Sequence, residues 1–263
     1  MPNTRRDVLV LKIGGSVGRG VDAALAAVAE IHGAGHPLVV VHGGGPLVGE
    51  WASQLGIETR FVRGLRVTDE PTRDVALAVL AGLTNKRIVA ALLARDVPAV
   101  GLSGVDGGML RAEREGPELG LVGVIARVES GLLEDLVDSG RVPVVAPAAL
   151  QDGAADDGVL NVNGDTAAGA IAVSLGARLL VFITDVPGVR GKNGKVIPSL
   201  DVDRAKALID DGTIEGGMLP KVEACLTAAS AGSRAAIVGG AGVDAIERLL
   251  SGEQVGTVFE AAA

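Results

Sequence analysis

Six apolar runs of strand length, at residues 8–13, 37–41, 97–101, 142–146, 178–183 and 235–238, dominate the sequence, and helical patterns lie between most of them. Runs that lack polar alternation suit strands covered on both faces, the condition of a parallel sheet. Strands alternating with helices through both halves call for an α/β fold with a mainly parallel central sheet. Helical spacing is read at residues 21–31, 47–55, 132–138, 202–209, 218–231 and 243–250. It also covers residues 70–95, where two helices are expected to meet near Thr84 and Asn85. Residues 109–128 alternate polar and apolar and read as antiparallel hairpins, and residues 57–68 as loop or short strand. The two halves are expected to share one continuous sheet.

Composition narrows the class. Of 263 residues 48% are hydrophobic but 2% aromatic, so the core has to be built from Val, Leu, Ile and Ala. A net charge of -8 with no basic patch argues against a general nucleic-acid or anionic-membrane binder, while leaving a small anionic substrate open. The lone Cys225 excludes an intrachain disulfide and reads as a small core residue. No stretch is read as approaching the roughly 20 apolar residues of a membrane span. No cleavable leader is evident, and the cytoplasm is the default location.

Glycine-bearing loops follow the strands at Gly14-Gly15, Gly43 to Gly45, Gly101 to Gly108 and Gly239-Gly240. Ligands of open α/β sheets bind at the carboxyl ends of strands, so these loops are expected to gather on one edge. Glycine there lets backbone N–H groups approach phosphate oxygens. Lys12 interrupts an apolar strand just before such a turn, where a lysine either reaches to the rim or points into a site. Lys221 follows Gly216-Gly217-Met218 early in a helix whose N–H groups favour anions, although a surface lysine explains it equally. Arg66 reads either as a solvated loop charge or as a carboxylate clamp.

Asn161 and Asn163 flank a strand end, and an extended chain would project both amides from one face. Asp165 then falls at the N-cap or first turn of the helix that follows. His32, His36 and His42 read as structural, and no Cys/His spacing suggests a metal centre. Gly188 to Lys195 imitates a phosphate loop with the wrong spacing, and Lys192-Asn193-Gly194-Lys195 suits a hairpin turn. Gly240-Ala241-Gly242 fits a relaxed dinucleotide pattern, but the chain ends before a βαβ unit is complete.

Taken together, Lys12-Ile13-Gly14-Gly15-Ser16, Val41-His42-Gly43-Gly44-Gly45-Pro46, Gly64-Leu65-Arg66-Val67-Thr68, Asn161-Val162-Asn163-Gly164-Asp165 and Gly216-Gly217-Met218-Leu219-Pro220-Lys221 resemble the amino acid kinase family. Ala99 to Gly107 and Thr184 to Gly188 fit as well, and the likeness runs from about residue 8 to residue 257. The resemblance implies a three-layer αβα sandwich in two lobes. Residues 1–165 would bind the amino-acid substrate and form a dimer, and residues 166–263 would bind ATP.

It further implies that ATP phosphorylates the side-chain carboxylate of N-acetyl-L-glutamate, a step of arginine biosynthesis. Lys12 and Lys221 would offset charge on the transferring phosphoryl group, with Asp165 holding both. Gly44, Gly45, Arg66, Asn161 and Asn163 would bind the amino-acid substrate. Gly14, Gly15, Thr184, Asp185, Val186, Gly188, Gly217 and Met218 would border the nucleotide, Mg²⁺ arriving on its phosphates rather than on a dedicated protein site.

About seven residues precede the first strand, so a homodimer without arginine feedback is expected. Neither nucleic acid nor membrane is an expected partner, and whether a nitrogen-signalling protein docks is left open. The rival reading is a kinase for carrier-linked 2-aminoadipate or glutamate. It shares the Gly101-Leu102-Ser103-Gly104-Val105-Asp106-Gly107 stretch but generally carries a different pattern at residues 64–68. A non-catalytic amino-acid-binding module is the reading from another class, and an NAD-dependent dehydrogenase rests on the Gly240 pattern alone.

Overall fold

The computed structural model describes residues 6–14, 19–154, 157–240 and 243–260. In chain order the elements are β1 (Arg6–Ile13), α1 (Arg19–Gly33), β2 (Leu38–His42), α2 (Gly45–Gln54), β3 (Phe61–Val62), β4 (Leu65–Arg66), α3 (Glu70–Leu77) and α4 (Asn85–Leu93). Then follow β5 (Ala99–Ser103), β6 (Leu110–Arg114), β7 (Val122–Val128), α5 (Gly131–Asp138), β8 (Val142–Ala146), β9 (Ala148–Gln151), β10 (Val159–Val162) and α6 (Gly164–Leu175). The last part holds β11 (Ala177–Thr184), β12 (Ser199–Leu200), α7 (Val202–Asp210), α8 (Leu219–Ser230), β13 (Arg234–Gly239), α9 (Val243–Leu250) and β14 (Thr257–Phe259).

The central sheet runs β12-β14-β13-β11-β1-β2-β8-β5. Its pairs are parallel except for β13 with β14. All five residues of β2 and of β8 are buried, which explains their unbroken apolar runs. Side chains alternate between the faces of a strand, and β1 shows it clearly. Val8 and Val10 join the core beneath α6 and α8, with Leu180, Phe182 and Cys225. Leu9, Leu11 and Ile13 join a second core on the opposite face with α1, α4 and α9. Three layers result, and parity assigns Lys12 to the α6/α8 side.

Beside this sheet, β10, β7, β6 and β9 close into a small barrel. The expected antiparallel pairing within residues 109–128 is β6 with β7, carrying an irregularity between Arg111 and Ala112. The sequence reading did not resolve β9, and it saw only the end of β10.

The junction expected near Thr84 and Asn85 falls where a π-helical stretch gives way to α4, but the helix runs through it unbroken. Glu70–Leu93 is one helix of 24 residues, with a π-helical stretch, Ala78–Thr84, between α3 and α4. Thr84 keeps helical dihedrals, and Asn85 turns its amide into the sheet instead of capping a new helix. By length and composition alone this helix is also long and apolar enough to cross a membrane, with a mean hydropathy of 1.6 over its most apolar window, contrary to the reading that no stretch comes close. Here Val75, Ala76, Val79 and Leu80 pack in one cluster with Val48, and Ile88 and Leu92 pack in the core beneath α1.

Candidate active site

The sheet's hydrogen-bond ladder runs on into the glycine turns. Gly14 N–H donates to Ile183, Gly43 N–H to Ile13 and Gly240 N–H to Thr184. Those turns at β1, β2 and β13 therefore share one edge, as expected for a parallel sheet. Gly101 is different, because it lies inside β5 rather than in a loop. A Cβ there would overlap Asn85 Oδ1 and come within 2.7 Å of Lys86 Nζ, so that glycine serves packing.

At the centre of the edge, Lys12 Nζ lies 2.5 Å from Asp165 Oδ1, and Lys221 Nζ donates to Asp165 Oδ2 at 2.8 Å. Lys221 also donates to the Gly217 carbonyl at 3.0 Å. Lys12 is brought there by strand parity, Asp165 by the first turn of α6 and Lys221 by the first turn of α8. A Cβ at Gly164 would meet Lys12 Cε at 3.6 Å and the His42 carbonyl at 3.3 Å, which keeps this corner tight.

Burial pushes the Asp165 carboxyl up, but the two ammonium groups outweigh it and hold its pKa below the ordinary value. Burial lowers the Lys12 pKa, and the neighbouring Lys221 charge adds to that, against the pull of Asp165. Cys225, one turn beyond Lys221, has its thiol pushed well up by burial.

The cap of α6 is Asn163, whose side chain accepts from the Asp165 and Thr166 N–H groups at 2.7 and 3.2 Å. β10 ends at Val162, yet Asn163 keeps an extended backbone while capping α6, and it borders the same cleft as Asn161, as the extended reading of residues 161–163 expects. Asn161 donates to Thr68 Oγ1 at 3.2 Å, and that hydroxyl donates to the Arg66 carbonyl at 2.7 Å. These bonds tie the β3/β4 hairpin to β10.

Arg66 lies over the Phe61 ring, 4.7 Å from its centroid, and its Nη2 donates to the Gly45 carbonyl at 2.9 Å. Its Nη1 is buried with no acceptor among the described residues. Burial lowers the guanidinium pKa. The result is a cleft of about 190 Å³ bordered by Lys12, Gly44, Gly45, Arg66, Asn161, Asn163 and Asp165, with an apolar wall of Val48, Ala76, Leu80 and Val122.

The residues expected at the nucleotide are less uniform. Thr184 ends β11 and donates to Asp185, which is exposed. Gly217 is exposed, and Val186 and Met218 are half-buried. Gly188 is buried, and a Cβ there would fall 2.7 Å from Thr257 Oγ1, so its lack of a side chain is a packing requirement. Gly14 gives its N–H to the sheet, and Gly15 lies outside the described residues.

Sequence reasoning missed Asn85. Its side-chain amide, fully buried, donates to Val144 and Leu102 carbonyls at 2.8 and 3.2 Å and lies 3.2 Å from His42 Nε2. His42 Nδ1 sits 2.8 Å from the Gly43 carbonyl, and burial lowers the imidazole pKa to about 4. The imidazole is therefore neutral near pH 7 and fixes the start of the glycine loop. An asparagine inside an apolar helical pattern was the available signal.

Comparison with known proteins places this geometry in context. The model of the amino acid kinase family matches residues 7–239. An acetylglutamate kinase from Dehalococcoides mccartyi is 44% identical over 236 residues, spanning 89% of this chain and 87% of the relative. One from Methanopyrus kandleri is 46% identical over 240 residues, 87% of this chain and 93% of that protein. Among solved structures, N-acetylglutamate synthase from Neisseria gonorrhoeae, complexed with coenzyme A and N-acetyl-glutamate, superposes with a TM-score of 0.81 at 26% identity. That match covers 98% of this chain and 61% of the synthase.

Proposed function

The chain belongs to the amino acid kinase family, and from that premise we propose that it transfers the γ-phosphoryl group of ATP to the side-chain carboxylate of N-acetyl-L-glutamate, in arginine biosynthesis. Support for the substrate comes from the relatives of the preceding section, named acetylglutamate kinase and matched along most of both chains. The observation that carries the chemistry is the convergence of Lys12 and Lys221 on Asp165 at the cleft that holds Arg66.

In this reading one oxygen of the substrate carboxylate attacks the γ-phosphorus, the bond from that phosphorus to the β–γ bridging oxygen breaks, and ADP leaves. The products are an acyl phosphate and ADP. A glutamate side chain has a pKa of about 4.3 and is ionised at neutral pH, so no general base is required. Catalysis is then positioning and charge stabilisation. Lys12 and Lys221 offset negative charge on the oxygens of the group in transit. Asp165 is the anchor that aims both ammonium groups.

Arg66, with an unmatched buried Nη1, is suited to the substrate's α-carboxylate, since guanidinium pairs well with carboxylates. Asn161 and the Gly44–Gly45 backbone complete the site. The nucleotide is assigned to the side bordered by Thr184, Asp185, Val186, Gly217 and Met218. Mg²⁺ brought in with the ATP would supply further charge neutralisation. Residues 1–165 thus form the substrate lobe and residues 166–263 the nucleotide lobe. Assembly as a homodimer and a cytoplasmic location are proposed on the family resemblance.

The test is to incubate the purified protein with ATP-Mg²⁺ and either free N-acetyl-L-glutamate or carrier-linked glutamate and 2-aminoadipate, trapping acyl phosphate with hydroxylamine. Trapped hydroxamate from the free acid is expected. Turnover restricted to carrier-linked substrates would move the chain to the sister reaction, and absence of ATP turnover with every substrate would make it a binding module.

A further inference from the structure

Leu80 stands on the π-helical stretch of the long helix and is 8% exposed. It presses on the glycine loop so closely that a Cβ at Gly44 would fall 2.6 Å from Leu80 Cδ2. With Ala76 and Val48 it forms an apolar wall of the cleft. Behind that wall lies a second space of about 10 Å³, bordered by Arg73, Leu77 and Leu160. Ala76, Leu80, Pro147 and Asn161 border both spaces, and Leu80 is the largest apolar side chain among them.

We infer that Leu80 sets the size limit for the acyl group on the substrate nitrogen, by closing the cleft off from the space behind it. The inference rests on the assignment of N-acetyl-L-glutamate to this cleft. Two carboxylates of such a substrate are drawn to the cations Lys12 and Arg66, which leaves the acyl methyl for the apolar wall. The second space alone has room for about one water. A packed wall does not absorb another methylene without moving, and one methylene in an apolar pocket changes the specificity constant by roughly 10- to 200-fold. Shortening Leu80 joins the two spaces and removes the stop.

The experiment measures kcat/KM for N-acetyl-, N-propionyl- and N-butyryl-L-glutamate at saturating ATP-Mg²⁺, for the native chain, Leu80→Ala and Leu80→Val. The native chain is expected to favour acetyl over propionyl on the order of tenfold or more. Leu80→Ala erases or reverses that preference, mostly through KM, and Leu80→Val falls between. Ratios within one preparation do not depend on the fraction folded, and Leu80→Val carries the test if the alanine variant does not fold. Ratios unmoved in the variants, or a native chain that takes butyryl as readily as acetyl, overturn the inference while the acetylglutamate assignment stands. A native chain that phosphorylates none of the three overturns that assignment and the inference with it.

Discussion

The Lys12 ammonium lies 2.5 Å from Asp165 Oδ1, with both side chains only 7% exposed. An ion pair this deeply buried stabilises little by itself, because desolvation offsets most of the attraction. Its value lies in placement, since it fixes a positive charge beside a cleft that borders both residues.

Lys12→Ala and Lys221→Ala are each expected to lower kcat on the order of a hundredfold or more, because each removes charge stabilisation from the transition state. Lys12→Ala should also destabilise the fold, by less than the roughly 3–5 kcal/mol of a buried charge left wholly unpaired, since Lys221 still faces Asp165. Urea unfolding separates the two effects. Near-normal turnover in both variants would leave the charge-offset role without support.

The pH dependence follows from the same pair. The Asp165 pKa is lowered in the folded protein, so the unfolded chain takes up its proton first as pH falls. The stability Asp165 contributes is complete above its ordinary value of 3.8 and is lost as pH drops through the lower folded value. Lys12 acts at the other end: its pKa is lowered from 10.5, so its charge is lost before that of an ordinary lysine. An alkaline fall in kcat is therefore expected below pH 10.5, and Asp165→Asn should move it lower still. A pH–rate profile of both proteins checks this, and coincident alkaline limbs would count against it.

Arg66→Ala is expected to raise KM for the amino-acid substrate on the order of tenfold or more while changing kcat less, the signature of lost ground-state binding. Steady-state kinetics with the substrate varied decides it. An unchanged KM would place the carboxylate clamp elsewhere.

Asn85→Ala is expected to destabilise by about 1–3 kcal/mol for each buried carbonyl left without its donor. Gly101→Ala should destabilise as well, by about 1–3 kcal/mol, since its Cβ would overlap the Asn85 side chain. Denaturant unfolding of each variant measures the cost. A Gly101→Ala protein as stable as the native one would show that the sheet and the long helix can shift apart freely.

Much of this architecture was legible because period and burial speak through sequence. Parallel strands covered on both faces leave unbroken apolar runs, and β2, β8 and β11 were visible for that reason. Lys12 stood out as a charge interrupting such a run from within. What stayed hidden depended on partners distant along the chain. β9 is a short Ala-rich segment whose pairing with β6 and β10 only the closed barrel supplies. The continuity of the long helix at Asn85 depends on carbonyls from β5 and β8 that no local pattern announces. The packing demands on Gly101 and Gly188 have no local signature, and it takes Asn85 and Thr257 pressed against them to show why neither can carry a side chain.

The position of β1 carries one more consequence. It sits between β2 and β11, pairing with β11 from Leu9↔Leu179 through Ile13↔Ile183. A polypeptide severed after residue 165 would give two fragments, each with a raw, apolar strand margin where the other had been, the kind of border that recruits foreign strands. The seam between the two halves is thus a continuous strand pairing, and it runs beside the buried ammonium of Lys12.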